Sequence, residues 1–244
     1  MKELNLIGLF RSGTNYTRTL LELNYETQVR YNALGWKHGV IPTYTKDSGY
    51  RYPELPTITV VKEPFAVLDS WLRYFKKRGK NLRSEFNGKG ISSFIRNRIV
   101  YFNEAAETSP EYRFVNPVQM WNFVVWNHLS FVKKNGGIVL KYEDLIRDPE
   151  TACQKVAEKF GLQRKSGEFV IPEYTTRNMN DSGERYRSED YMTGGRFERK
   201  EYFAGREYLK KFSPRDREFI RKELDPELLD MLGYGELIPR TESE

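Results

Sequence analysis

Eight consecutive residues, Gly8-Leu9-Phe10-Arg11-Ser12-Gly13-Thr14-Asn15, constrain this chain more than any others, because an apolar run over 4–9 enters them and a helical pattern over 16–23 leaves them. A strand that turns through a short Gly-bounded loop into a helix points backbone N–H groups and the positive end of a helix dipole at one place. The ligand suited to that place is an anion, a phosphate or a sulfate. In the Walker form of such a loop, Lys and then Ser or Thr follow the last Gly and bind phosphate oxygens and a magnesium ion. Here Thr14 and Asn15 stand in those positions, and the cation lies inside the loop at Arg11. Ordinary ATP chemistry therefore lacks two of its parts. A nucleotide whose transferred group carries less charge than a terminal phosphate does not need them.

With 244 residues, 39% of them apolar, the chain is long enough for one substantial core, so a single domain over 1–244 is expected. Forty Lys and Arg against 34 Asp and Glu leave a formal charge of +6, which suits an anionic ligand and equally serves solubility. One cysteine, Cys153, excludes an intramolecular disulfide and a Cys-rich zinc site, and fits a reducing compartment. The apolar stretch at 4–10 is too short to span a membrane, and Arg11 and Arg18 behind it do not suit a signal peptide. The expectation is a soluble, cytoplasmic protein with no membrane partner.

Strand and helix patterns alternate along the chain, which favours an α/β fold: a central parallel sheet of P-loop type with helices on both faces. Thr57-Ile-Thr-Val-Val61 reads as a buried strand because β-branched residues dominate it, and Pro64 then opens a helix with Val67, Leu68, Trp71, Leu72 and Phe75 on its apolar face. Residues 137–141 read as a third strand. Asp148-Pro149-Glu150 starts a helix that Gly161 closes, and Ser213-Pro214-Arg215-Asp216 starts another. The basic, weakly periodic stretch at 80–116 reads as a substrate lid, and the Gly-, Arg- and Tyr-rich stretch at 174–212 as a loop that closes on a ligand.

Three separated segments carry a family resemblance. They are the 8–14 loop, Val61-Lys62-Glu63-Pro64 through Asp69-Ser70, and Leu140-Lys141-Tyr142-Glu143-Asp144-Leu145 with Asp148-Pro149. Together, and in this order, they resemble the sulfotransferases that use 3′-phosphoadenosine-5′-phosphosulfate (PAPS). The family's second segment has Arg-Asn-Pro with a serine eight positions after the Arg; Lys62 and Ser70 have that spacing, with Lys for Arg and Glu63 for Asn.

The resemblance implies transfer of a sulfuryl group from PAPS to a hydroxyl of a carbohydrate, small alcohol or phenol, releasing PAP without a metal. It implies that Arg11, Ser12, Gly13, Thr14 and Asn15 hold the 5′-phosphosulfate, with Arg11 also catalytic at the leaving oxygen. Lys62 and Ser70 are then the 3′-phosphate ligands, joined less closely by Arg199 and Lys200. Tyr142 lies near the adenine, and Tyr16 either stacks on it or belongs to the core. His38, in Trp36-Lys37-His38-Gly39, is the candidate base that removes the acceptor proton, with Glu63 and Glu22 as rivals. His128, between Trp126 and Phe131, reads as structural. Two other readings stand beside this one: a P-loop nucleotide or small-molecule kinase, which lacks its lysine and magnesium carboxylate, and a nucleic-acid-binding module, which leaves the loop unexplained. No nucleic-acid partner is expected.

Overall fold

A computed structural model describes residues 1–42, 54–78, 90–101, 111–172 and 200–237. In chain order the elements of the first half are β1 (Lys2–Ile7), α1 (Thr14–Asn24), β2 (Thr27–Arg30), β3 (Thr57–Val61), α2 (Pro64–Arg78), α3 (Ile91–Phe94), β4 (Ile99–Tyr101) and β5 (Tyr112–Phe114). They are followed by α4 (Pro117–Lys134), β6 (Ile138–Lys141), α5 (Tyr142–Arg147), α6 (Pro149–Phe160), α7 (Lys200–Ala204), α8 (Pro214–Glu223) and α9 (Pro226–Met231). The fold is α/β, with a four-stranded parallel sheet flanked by helices. By their contacts the residues form two compact units, Met1–Lys62 with Asn127–Gly205, and Glu63–Trp126 with Arg206–Glu244.

The first unit holds the sheet, in the order β2-β1-β3-β6. All three pairings are parallel, with Asn5 opposite Thr57, Leu4 opposite Val29 and Val61 opposite Lys141. Every residue of β3 is buried, as a strand covered on both faces requires. From β1 the chain moves outward to β2 and returns to β3 on the other side, so the order reverses between β1 and β3. In open α/β sheets, ligands bind beyond the carboxyl ends of the strands at such a reversal. The loop at 8–13 follows β1 and Lys62 follows β3, which puts both at that place.

The apolar run expected over 4–9 pairs instead over Lys2–Ile7. Pairing with β2 draws Lys2 and Glu3 into the ladder, while Gly8 turns its N–H away to the carbonyl of Lys37 at 3.0 Å. Helices α1 and α6 pack on each other and on the sheet. In α6 the Asp148 carboxylate accepts from the Thr151 N–H, Pro149 takes the first turn, and Gly161 closes the helix at φ 61°, left-handed backbone that glycine adopts without strain. Cys153 is fully buried in this packing, and burial pushes its thiol up to about 12, far from a reactive thiolate.

In the second unit α2 begins where Pro64 predicts, with the Glu63 carbonyl accepting from Val67 N–H at 3.0 Å. The described parts of the 80–116 stretch are not irregular: α3 and the antiparallel pair β4-β5 lie there, with Val100 opposite Arg113. Three- and four-residue elements are too short to show a period, which is why the sequence hides them. Ser213 and Asp216 form a reciprocal capping box at α8, and Asp216 also binds Ser92 at 2.6 Å and Arg96 at 2.5 Å. Trp71, Trp121, Phe65 and Tyr208 are among its largest fully buried side chains.

Candidate functional site

The loop after β1 is shaped by close approach and by left-handed backbone. A Cβ on Gly8 would lie 2.6 Å from the Val60 carbonyl oxygen and 2.8 Å from Ser12 Oγ, so a larger residue cannot replace it without moving β3 or the loop. Arg11 has φ 69° and Gly13 φ 105°. Such turns line up successive N–H groups into an anion-binding hollow, and at Arg11 the conformation costs about 1 kcal/mol that the fold must offset. The Ser12 N–H closes the turn on the Leu9 carbonyl at 3.0 Å, so the part of Ser12 left for a ligand is its hydroxyl. That hydroxyl is buried inside the loop with no hydrogen-bond partner. Gly13 then caps α1 with no side-chain hydrogen bond, and the first N–H groups of a helix have no intrahelical acceptor. An oxyanion in the loop answers the Ser12 hydroxyl and the helix end together.

A second segment is laid across the end of β1. Gly8 donates to the Lys37 carbonyl, and its own carbonyl accepts from His38 Nδ1 at 2.6 Å. Further along, His128 Nε2 donates to the Gly39 carbonyl at 2.7 Å, and the Asn127 amide accepts from Ile41 N–H at 2.7 Å and donates to its carbonyl at 3.0 Å. Ile7, Leu34, Ile41 and Val132 pack beneath. Donation to a carbonyl fixes each ring's tautomer: neutral His38 carries its proton on Nδ1 and leaves the Nε2 lone pair to act as a base. Burial, then the charge of Lys37, then His128 and Arg11, push His38 down to about 3, against the pull of the Gly8 carbonyl. Burial pushes His128 down to about 4, with the Gly39 carbonyl opposing.

His128 therefore links stability to pH. Its folded value lies below the ordinary 6.5, so the unfolded chain binds the extra proton; stability is complete above 6.5 and is lost as pH falls toward 4. Between pH 7 and pH 5 the loss from this residue should be about 2 kcal/mol. Urea midpoints at the two pH values measure it, and His128→Gln should flatten that part of the slope. Equal slopes for the two proteins would show that His128 is not held neutral.

Lys62 stands at the end of β3, 3% exposed, with its ammonium 4.2 Å from the centroid of the Tyr142 ring and 3.3 Å from that of Phe203. The Tyr142 ring also lies on Gly13: a Cβ there would come within 2.4 Å of Tyr142 Cδ2. Tyr142 thus joins the loop to Lys62. Of the residues expected from sequence, the first unit brings together Arg11, Ser12, Gly13, Thr14, Asn15, His38, Lys62 and Tyr142 around the ends of β1 and β3. Tyr16 is buried, and burial, then Cys153, push its hydroxyl up to about 12, the environment of a core residue. Ser70 belongs to the second unit, where its hydroxyl donates to the Ala66 carbonyl at 2.8 Å and accepts from Arg73 at 3.3 Å. Arg199 lies outside the described residues, and Lys200 opens α7, the helix that carries Phe203.

Both carboxylates considered as bases are engaged elsewhere. Glu22 accepts from Arg18 Nε at 3.1 Å and from Val29 N–H at 2.8 Å, fastening α1 to β2. Glu63 accepts from the Tyr208 hydroxyl and from Arg206 at 3.2 Å within the second unit. Two residues that sequence reasoning passed over belong to the site: Lys37, whose Nζ donates to Asn15 Oδ1 at 2.9 Å, and Phe203 over Lys62. Adjacency to His38 was the one local sign for Lys37, and Phe203 had none, since both contacts join residues far apart in the chain. Among the described residues, no helix is long and apolar enough to cross a membrane, and no cluster of three His, Cys, Asp or Glu could hold a metal ion. Comparison with protein-family models, with curated proteins and with solved structures found no match.

Proposed function

We propose that this chain is a PAPS-dependent sulfotransferase of P-loop type, moving a sulfuryl group to an acceptor hydroxyl and releasing PAP. The observation that carries the reading is the placement of two cationic sites, the Arg11 loop and Lys62, beyond the carboxyl ends of neighbouring parallel strands where the sheet order reverses. A nucleotide with separate 5′ and 3′ anionic groups needs two such sites; a simple nucleoside monophosphate needs one. The buried Ser12 hydroxyl and the Gly8 and Gly13 cradle fit the 5′ group, and Lys62 between its aromatic neighbours fits the 3′-phosphate. PAPS, when bound, supplies the activated sulfuryl group. Arg11 offsets charge on the leaving oxygen as a fixed cation, since a guanidinium does not give up its proton. His38 Nε2 receives the acceptor proton.

A thermal-shift panel of PAP, AMP, ATP with Mg²⁺ and single-stranded RNA tests the ligand, and release of PAP from PAPS with candidate sugars and phenols tests the reaction. PAP at a hundred times its Kd should add about 2.7 kcal/mol of stability. AMP should add far less, and a chelator should leave the PAP shift unchanged. Equal shifts with PAP and AMP would remove the 3′-phosphate site, and a larger shift with ATP and Mg²⁺ would favour phosphoryl transfer.

A further inference from the structure

The antiparallel pair β4-β5 stands apart from the four-stranded sheet, and among the described residues no third strand joins it. An open strand edge offers its N–H and C=O groups to any chain that can lie along it, and natural proteins commonly guard such edges with charge, Lys above all. The edge at β5 is guarded differently: it carries one charge of each sign. Glu111-Tyr112-Arg113-Phe114-Val115 runs along it, with alternate side chains on opposite faces. On one face the rings of Tyr112 and Phe114 lie 6.1 and 5.5 Å from that of Phe123 in α4, which is still 46% exposed. The other face holds Glu111, Arg113 and Val115, all exposed, with the Arg113 side chain 80% accessible and only 3.6 Å contact between its guanidinium and Glu111. An ion pair so open contributes little within one chain.

We propose that this edge is a docking surface for a second copy of the chain, with the two β5 strands antiparallel about a two-fold axis at Tyr112. In that register Glu111 of each copy lies opposite Arg113 of the other, and Tyr112 lies opposite its own counterpart. Directly opposed residues of an antiparallel pair have Cβ atoms about 4.5–5.5 Å apart, close enough to close both ion pairs. One patch thus serves both copies, as a two-fold interface requires. The charges also select the register. An axis at Glu111 or at Arg113 sets like charges against each other, and a slip of one residue sets Tyr112 against a charged side chain. The occupant follows from the same pattern: the edge calls for a strand with Arg and Glu two apart in the facing direction, and Glu-Tyr-Arg read antiparallel is its own complement. On the other face the paired Tyr112 rings join the exposed Phe123 of each copy, which supplies apolar surface to remove from water.

Sedimentation equilibrium of the full chain, over about 1–200 µM as suits a small interface, should show a reversible monomer–dimer equilibrium. Arg113→Glu and Glu111→Arg should each weaken it by about tenfold or more, because each sets like charges opposite one another twice. The double variant with Glu111→Arg and Arg113→Glu restores the opposed pairs and should regain most of the wild-type affinity. Mixing the two single variants is the sharpest test: one then offers two acidic residues to two basic ones, and the mixture should form a heterodimer tighter than either variant forms alone. Both positions are exposed, so circular dichroism should show all of these variants folded like wild type. A wild-type chain that stays monomeric over the whole range overturns the proposal. So do single reversals that dimerise like wild type, and a mixture that associates no more tightly than its components.

Discussion

Replacing Arg11 with glycine should lower the single-turnover rate at saturating PAPS by ~10²–10³-fold, the usual cost of removing one donor aimed at developing charge. Glycine is the informative replacement because Arg11 sits at φ 69°, a left-handed conformation that glycine adopts freely, so the loop keeps its course while the cation disappears. PAP binding should weaken much less than the rate falls, since the leaving oxygen carries its full charge only as the bond to sulfur breaks. Arg11→Lys should hold an intermediate rate: a lysine keeps the charge without the planar fork. Titration calorimetry with PAP and rapid-quench measurement of the chemical step provide the two readings. An Arg11→Gly protein with a normal chemical step would transfer the leaving-oxygen role to another group.

The second large effect belongs to His38. His38→Ala should reduce the rate at saturating PAPS and acceptor by ~10²–10⁴-fold and leave PAP affinity nearly unchanged, because a base touches the acceptor side. The structure also changes the expected pH dependence. With burial, Lys37, His128 and Arg11 pushing the imidazole down to about 3, the free protein should keep its kcat/KM well below the ordinary histidine range before an acid limb appears. A bound PAPS adds negative charge near Lys37 and Arg11, which offsets two of the causes of that depression. The acid limb of kcat, which reports the complex, should therefore lie at higher pH than that of kcat/KM. Coincident limbs, or an alanine variant with most of its activity, would return His38 to a holding role on the Gly8 carbonyl.

What the sequence made legible was governed by neighbours in the chain. The strand Thr57–Val61 follows from five β-branched side chains in five residues, α6 begins and ends where Asp148, Pro149 and Gly161 direct, and α8 begins where Ser213 and Pro214 direct. Such rules act over one helical turn and need no partner. The strand β2 carries Thr27, Gln28, Val29 and Arg30, which show little apolar pattern. It exists because β1 offers it a parallel edge and Glu22 binds its Val29 N–H. At the site the same division holds. Arg11, Gly13 and Lys62 are marked by the strands they follow, whereas Lys37 and Phe203 become visible only when chain folding brings them to Asn15 and Lys62. Glu22 and Glu63 look unengaged in sequence and accept hydrogen bonds in the fold, since nothing local records Arg18, Val29, Arg206 and Tyr208 as their donors.

One ring ties the two cationic ends of the candidate site into a single thermodynamic object. Tyr142 rests on Gly13 of the loop and lies under the ammonium of Lys62, so whatever draws Lys62 toward a phosphate also changes what the loop glycine packs against. Two ligands that share a wall report on each other, and the coupling is reciprocal. Fragments that fill the loop or the Lys62 position separately will then have affinities that do not multiply to that of the intact bisphosphate. The shortfall or surplus measures how firmly Tyr142 transmits the occupancy of one end to the other.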